Sequence, residues 1–321
     1  MPRPAPAVHR TTVLLNFLAA RAGESFTLSR LAAELGFNKT TTQTMLAELA
    51  AARYVVLDAA SRTYRLGPAV IPLGAAAASD ARTALAAAEP YLMSVRDDYE
   101  VSCVVTTLLG GDIVVIGRYD HTRVPPTSMR LDDVVPAIPP VGRAFVAWAD
   151  PAAVNAWLDR LGDTASVQLR ERYEQMLTGI RRRGYLLNRE TGTYARLGEL
   201  AARLRSVRVP DELEAIIDSL QDAVAVQGNE LTTANLRSVS VPVFDATGRV
   251  LMTLTGVNFP PDITRDALGQ QVHALLRAAA EVTTALGGRH PGPDPLRDSA
   301  RPPRISDGDF DELFPHASVP V

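Results

Sequence analysis

This chain of 321 residues contains one cysteine, one lysine and few aromatic residues (6%). The single cysteine, Cys103, excludes an internal disulfide. In the apolar run VSCVVTTLL it reads as a small buried hydrophobe rather than a redox group. No apolar run is long enough for a transmembrane helix. The opening residues MPRPAPAVHR lack the apolar stretch of a secretory signal, so a cytoplasmic protein without a membrane partner is expected. Histidines are few as well: His9, His121, His273, His290 and His316 stand without ligand spacing, which argues against a metal site. The G-x-S-x-G, H-E-x-x-H and P-loop patterns are missing too, and neither catalytic residues nor a cofactor are expected. Asp120-His121 between Arg118 and Arg123 reads as an exposed charged loop. Lys39 is the sole lysine; arginine carries the remaining positive charge, and alanine is abundant, a bias of base composition rather than of function.

What the chain does have is enough apolar content, 46% against 21% charged, to bury a sizeable core, and a length beyond that of most single domains. Its charge is divided unevenly. Residues 1 to 66 hold eight Lys and Arg against four Asp and Glu, hence +4; with −3 for the whole chain, the rest carries −7. A basic head on an acidic body suggests that the head alone meets nucleic acid.

The head contains the most informative stretch, TLSRLAAELGFNKTTTQTMLAELAAARYV from Thr27 to Val55. Leu28, Leu31, Ala32 and Leu35 recur at helical spacing behind Thr27 as N-cap, Gly36 supplies a turn, and Asn38 caps a second helix. In that helix Thr42, Met45, Leu46 and Leu49 share one side and face a core. Thr40, Gln43, Thr44 and Ala47 lie opposite, with Lys39 and Thr41 at the N-terminal end, a small polar surface suited to a major groove. Gln43 is the best base reader, since its amide can pair bidentately with adenine. The alternative, two helices of an ordinary bundle with a polar outer face, is weakened by the flanks. Arg10–Arg21 forms a third amphipathic helix, and Tyr54–Leu57 with Thr63–Leu66 read as the strands of a wing whose turn, Asp58–Arg62, puts Arg62 near a phosphate or the minor groove.

These motifs, together with YRLGPAVIPLG (Tyr64–Gly74), VGRAFVAW (Val141–Trp148), IRRRGYL (Ile180–Leu186) and SVSVPVFDATGRVLMTL (Ser238–Leu254), resemble the IclR-type bacterial transcriptional regulators from about residue 8 to 286. The resemblance implies an α+β chain: an N-terminal winged helix-turn-helix (1–67), a linker helix (68–88) and a C-terminal GAF-like mixed α/β effector domain (89–286). It implies operator DNA, a homodimer or homotetramer, and a small-molecule effector, a carboxylate or aromatic acid, with repression favoured over activation. Matched position by position, Val141, Gly142 and Arg143 would bind effector at a helix start, Ser238, Thr255 and Val257 on the second hairpin, and Glu230 beside it. A helix N-terminus there would suit an anion. The chain departs from the family pattern at Pro139-Pro140, which offer no N–H groups, and in the longer segment Arg189–Asp222, where an extra amphipathic helix is expected from Pro210. Thr44 stands where arginine is usual, and Arg53 where glycine is.

The residues themselves give a coarse map of the C-terminal part. Gly74–Ala88 is an alanine-rich helix, fit for a stiff connector or equally for packing within the second domain, and Tyr91–Tyr99 continues helically. Val101–Leu109 and Ile113–Tyr119 form a hairpin over Gly110-Gly111-Asp112; helices follow near 142–149, 151–160 and 169–183. Arg237–Phe244 and Arg249–Thr255 form a second hairpin before a last helix, Thr264–Leu286, so a mixed sheet with helices against it is expected. Residues 287–321 read as a disordered tail. The competing functions are an enzyme or ligand-binding protein built on the C-terminal domain, or a regulator that has lost effector control.

Overall fold

The computed structural model describes residues 5–21, 23–124, 129–164, 166–189, 236–259 and 263–292. Glu230, the helix expected from Pro210 and the tail beyond 292 lie outside the described residues. The chain divides into two compact units, with the break between Ser79 and Asp80.

In the N-terminal unit the local signals act where the sequence puts them. Helix α1 (Pro6–Ala19) begins four residues earlier than the apolar pattern suggests, with Pro6 at its first position, where a missing N–H is harmless. α2 (Leu28–Leu35) is capped by Thr27, whose side chain accepts from the Arg30 N–H, and α3 (Lys39–Ala51) by Asn38, whose side chain accepts from the Thr40 N–H. α2 ends at Gly36 with φ 65°, and the Phe37 N–H closes back to Ala32 O, a Schellman stop. The helices enclose Leu14, Phe17, Leu18, Phe26, Leu31, Leu46, Leu49 and Val55. Phe17 and Phe26 meet edge-on with ring centroids 5.1 Å apart. Each such side chain contributes about 1.5–3 kcal/mol by leaving water.

The wing is β2 (Val55–Asp58) and β3 (Thr63–Leu66), antiparallel. A further strand was not anticipated: β1 (Phe26–Thr27) pairs with β3, giving a three-stranded sheet in the order β1-β3-β2. Beyond the wing, α4 (Val70–Ala77) has no buried residue and ends at Ala78.

The C-terminal unit begins with α5 (Ser79–Tyr99), so the stretch expected to be one linker helix is two helices. α5 buries Ala81, Ala84, Ala88, Leu92 and Val95 and runs through Pro90, which cannot donate to the carbonyl four residues back. The sheet comprises β4 (Ser102–Leu109), β5 (Asp112–Tyr119), β6 (Val134–Pro136), β7 (Leu186–Arg189), β8 (Leu236–Phe244) and β9 (Val250–Val257). Their order is β6-β5-β4-β9-β8-β7. Among the described residues every pairing is antiparallel, which corrects the expected mixed sheet: strands next to one another in the chain, β4 with β5, β5 with β6, β7 with β8 and β8 with β9, are also neighbours in the sheet and run in opposite directions. The β4–β5 turn works because Gly110 (φ 60°) and Gly111 (φ 95°) both adopt the left-handed backbone that a two-residue hairpin loop demands.

Side-chain alternation gives this sheet two chemically different faces. One carries Cys103, Val105, Val239, Val241, Val243, Met252 and Leu254, packed with α5 and the last helix, α9 (Arg265–Ala285). The other carries Thr106, Ser238, Ser240, Thr253 and Thr255. Beside it stand α6 (Arg143–Val146), α7 (Pro151–Leu158), a 3-10 stretch (Asp159–Thr164) and α8 (Val167–Arg183). These helices have a separate core of Trp157, Leu158, Leu161, Tyr173, Leu177 and Ile180. The helix expected over 142–149 is thus only four residues long. The first residues of the stretch expected to be a tail are held: the Gly288 N–H donates to Thr283 O, the Arg289 N–H to Asp245 O, and the His290 ring packs edge-on against Phe244.

Candidate nucleic-acid and effector sites

On α3 the polar side expected to read DNA is outward. Lys39, Thr40, Gln43 and Thr44 are exposed and Thr41 is half-buried, while Thr42 and Leu46 are buried completely. The helix is fixed beneath them: Thr42 Oγ1 donates to Asn38 O (3.0 Å), and Thr44 Oγ1 donates to Thr40 O (3.1 Å). The second bond ties the Thr44 hydroxyl to its own helix, leaving its methyl as the outward group. Arg53 shows why glycine suits its position. It closes α3 with φ 62°, the Tyr54 N–H reaching Leu49 O (2.8 Å) and the Arg53 N–H reaching Ala50 O (3.0 Å). This is the left-handed stop residue of a Schellman motif, where a β-carbon is a burden.

At the wing turn Arg62 is exposed with φ 51°. Asp58 holds the turn together, accepting from the Ala60 N–H (2.9 Å) and the Ser61 hydroxyl (2.8 Å). The Ser61 hydroxyl, followed by the Ala60 N–H, keeps the Asp58 carboxyl below the usual carboxylate range.

In the C-terminal unit a chain of hydrogen bonds joins two of the expected effector residues. Arg143 donates from Nε to Pro140 O (3.0 Å) and from a terminal nitrogen to Asn188 Oδ1 (3.0 Å); Asn188 Nδ2 donates to Ser238 Oγ (2.9 Å). Next to it, Ser240 and Thr255 share a hydroxyl hydrogen bond (2.9 Å), and Thr106 and Thr253 another (2.8 Å). A hydroxyl pair uses one of its two hydrogens internally, so each pair has a second O–H to donate. Val257 sits opposite Ser238 and packs with Val104 and Val115. The site therefore combines a guanidinium, an amide and several hydroxyls with an apolar flank, a set suited to a small acceptor-rich molecule with apolar bulk. Val141 and Gly142, expected at an anion-binding helix start, are tied into the loop before α6. The Val141 N–H is occupied by Ile138 O (2.7 Å), its carbonyl accepts from Trp157 Nε1 (2.8 Å), and Gly142 turns the chain with φ 93°. They shape the loop that carries Arg143.

Residues 7–59 match the model of the IclR helix-turn-helix domain. Over 222 residues the chain is 26% identical to the Pca regulon regulatory protein of Pseudomonas putida, the match spanning 68% of this chain and 63% of that protein. An IclR transcriptional regulator of Alicyclobacillus acidocaldarius has the same fold, with a TM-score of 0.59 at 24% identity over 89% of this chain and all of the other. So does an IclR homologue of Microbacterium hydrocarbonoxydans complexed with 4-hydroxybenzoate, with a TM-score of 0.58 at 16% identity, covering 87% and 98% of the two chains. The HmgR protein of Pseudomonas aeruginosa gives 0.56 at 22% identity, covering 88% and 100%. Residues 7–59 therefore carry an IclR-type helix-turn-helix domain, and the chain shares the fold of these regulators.

Several polar residues of the candidate effector site escaped the sequence reading. Asn188 lies on β7, a four-residue strand without a periodic signal. Ser240, Thr106 and Thr253 were legible in principle, because SVSV and TLT alternate and put Ser240 on the face of Ser238 and Thr253 on that of Thr255. Glu230 lies outside the described residues. A separate groove lies along α9 and the end of β8, lined by Pro242, Phe244, Leu276, Ala279, Thr283 and His290, and none of the expected effector residues lines it. Among the described residues no group of three or more His, Cys, Asp and Glu side chains is placed to hold a metal, and no helix is long and apolar enough to cross a membrane.

Proposed function

We propose that this protein is a member of the IclR family: a cytoplasmic, sequence-specific transcriptional regulator, a repressor, that acts as a homodimer or homotetramer on operator DNA under control of a small-molecule effector. The observation that carries the reading is the outward polar face of α3, with Gln43 and Thr40 exposed beside Lys39 on a helix whose opposite side is core. Base edges are read from such a face and phosphates are held around it. The effector belongs to the small carboxylates or aromatic acids. Arg143, linked through Asn188 to Ser238, supports that class, and a relative of the same fold is complexed with 4-hydroxybenzoate. Ligand binding would bias how the paired heads are held on DNA.

Fluorescence anisotropy with duplexes tiling the region beside the protein's own gene tests the DNA reading: one segment should bind in the presence of random competitor, and uniform weak binding counts against it. Thermal shift with small carboxylates and aromatic acids tests the effector. A ligand at a hundredfold excess over its Kd stabilises by about 2.7 kcal/mol, a readily measured shift, whereas a flat panel would favour a regulator without effector control.

A further inference from the structure

The polar residues on the second face of the large sheet lie on a diagonal. In one row of neighbours the hydrogen-bonded pair is Asn188 and Ser238, on β7 and β8. Two residues along it is Ser240 and Thr255, on β8 and β9; two further along it is Thr253 and Thr106, on β9 and β4. The polar pair thus steps over by one strand in each row. Beside it the positions are apolar, Leu186 and Pro242 on one flank, Val104 and Val257 on the other. A strand spacing of about 4.8 Å and a two-residue advance of about 6.8 Å put successive pairs about 8 Å apart.

Each row keeps one hydroxyl hydrogen for which the described residues offer no acceptor, because one hydrogen of each pair is spent within it. The far pair is the informative one. Thr253 is 2% and Thr106 8% exposed, and the side chains next to them in the row, Pro242 and Val115, carry neither charge nor donor. A donor at that depth calls for an acceptor that reaches it. The acceptor is a neutral one, since nothing in that row would compensate a buried charge. Building on the effector reading of this site, we infer that Thr106 and Thr253 are its specificity-determining far end, and that the effector is a rod-shaped mono-acid with a neutral acceptor, a carbonyl or ether oxygen, opposite its carboxyl group. The carboxylate lies at the Arg143 end, between the donors of Ser238 and of the Ser240 and Thr255 pair. An apolar body of one ring or slightly more runs between the flanks.

Isothermal titration of the full chain with acids of nearly the same shape tests this. 4-Acetylbenzoate has a carbonyl at its far end and 4-isopropylbenzoate has none; each is repeated on the longer cinnamate frame. In at least one frame the acetyl acid should bind about three- to tenfold tighter, the worth of one hydrogen bond, although the isopropyl group is the more apolar. Terephthalate, a diacid, should bind more weakly than the acetyl acid. The double variant Thr106→Val, Thr253→Val removes both partners together, so no hydroxyl stays behind unpaired. Its preference should reverse in favour of the isopropyl acid, while Thr106→Ser with Thr253→Ser keeps the wild-type order. A pair with a structural role alone would shift both acids alike. Equal or weaker binding of the acetyl acid in both frames, or an order unchanged in the valine variant, overturns the far-end assignment and leaves the effector reading standing. Tighter binding of terephthalate overturns the neutral end. If the valine variant does not fold, the wild-type order alone decides. A wild type that binds none of these acids overturns both the far-end assignment and the effector reading.

Discussion

Thr27 pairs with Thr63 across β1 and β3 while its hydroxyl caps α2, so one residue joins the wing to the first helix of the DNA-binding motif. Thr27→Ala should therefore lower the stability of the N-terminal unit by about 0.5–2 kcal/mol, and Thr27→Ser, which keeps the cap, by much less. Urea unfolding followed by circular dichroism checks this; equal losses for the two variants would show that the cap oxygen is not the source.

The face of α3 separates two roles. Gln43→Ala should relax base preference by about 1–3 kcal/mol at one position. Lys39→Ala should weaken all duplexes evenly and reduce the salt slope. Competition anisotropy with single-base variants of a bound segment measures both. Uniform loss in the two variants would contradict the assignment.

Arg53 holds a left-handed backbone, φ 62°, at the end of α3. A side chain there costs on the order of 1 kcal/mol, so Arg53→Gly should raise the stability of the N-terminal unit, less the extra freedom glycine gives the unfolded chain. Gly67→Ala should do the reverse, because a β-carbon there would collide with the Arg53 carbonyl, which is already fixed by the Ala69 N–H. Equilibrium denaturation of the two variants should move in opposite directions.

The contrast between what the sequence made legible and what it hid has a physical basis in these same elements. Caps and stops act over three or four residues, so Thr27, Gly36, Asn38 and the Gly110-Gly111 turn could be read directly. β1 is two residues long and exists because Phe26 and Thr27 meet Tyr64 and Thr63, a contact between distant segments with no local pattern. β6 and β7, three and four residues long, are likewise set by pairing. VGRAFVAW has helical apolar spacing, yet Gly142 at φ 93° and the Pro139-Pro140 loop before it leave only Arg143–Val146 as helix. In the candidate effector site Arg143 and Ser238 were expected from the sequence, whereas Asn188, which bonds to both, was not, because it sits on a strand visible only in the folded sheet.

Cys103 is fully buried, and burial pushes its thiol up from 9.0 to about 12. Below pH 9 both folded and unfolded chains keep the proton; between 9 and 12 the unfolded chain ionises and the folded one does not, so stability falls as pH rises through that window. A thiol reagent such as DTNB at pH 8 should leave the native protein unmodified and react once per chain in guanidinium. Rapid reaction of the native protein would place Cys103 nearer the surface than the structure does.

Whether α3 reads a sequence at all is decided most directly by selection from a random duplex library with the full-length protein, run in parallel with Gln43→Ala. The account predicts enrichment of one motif whose half-sites are spaced by about one helical turn or a multiple of it, with preference lost at a defined position in the variant. Recovery of unenriched sequence by the wild type, with binding that merely follows salt, would contradict it.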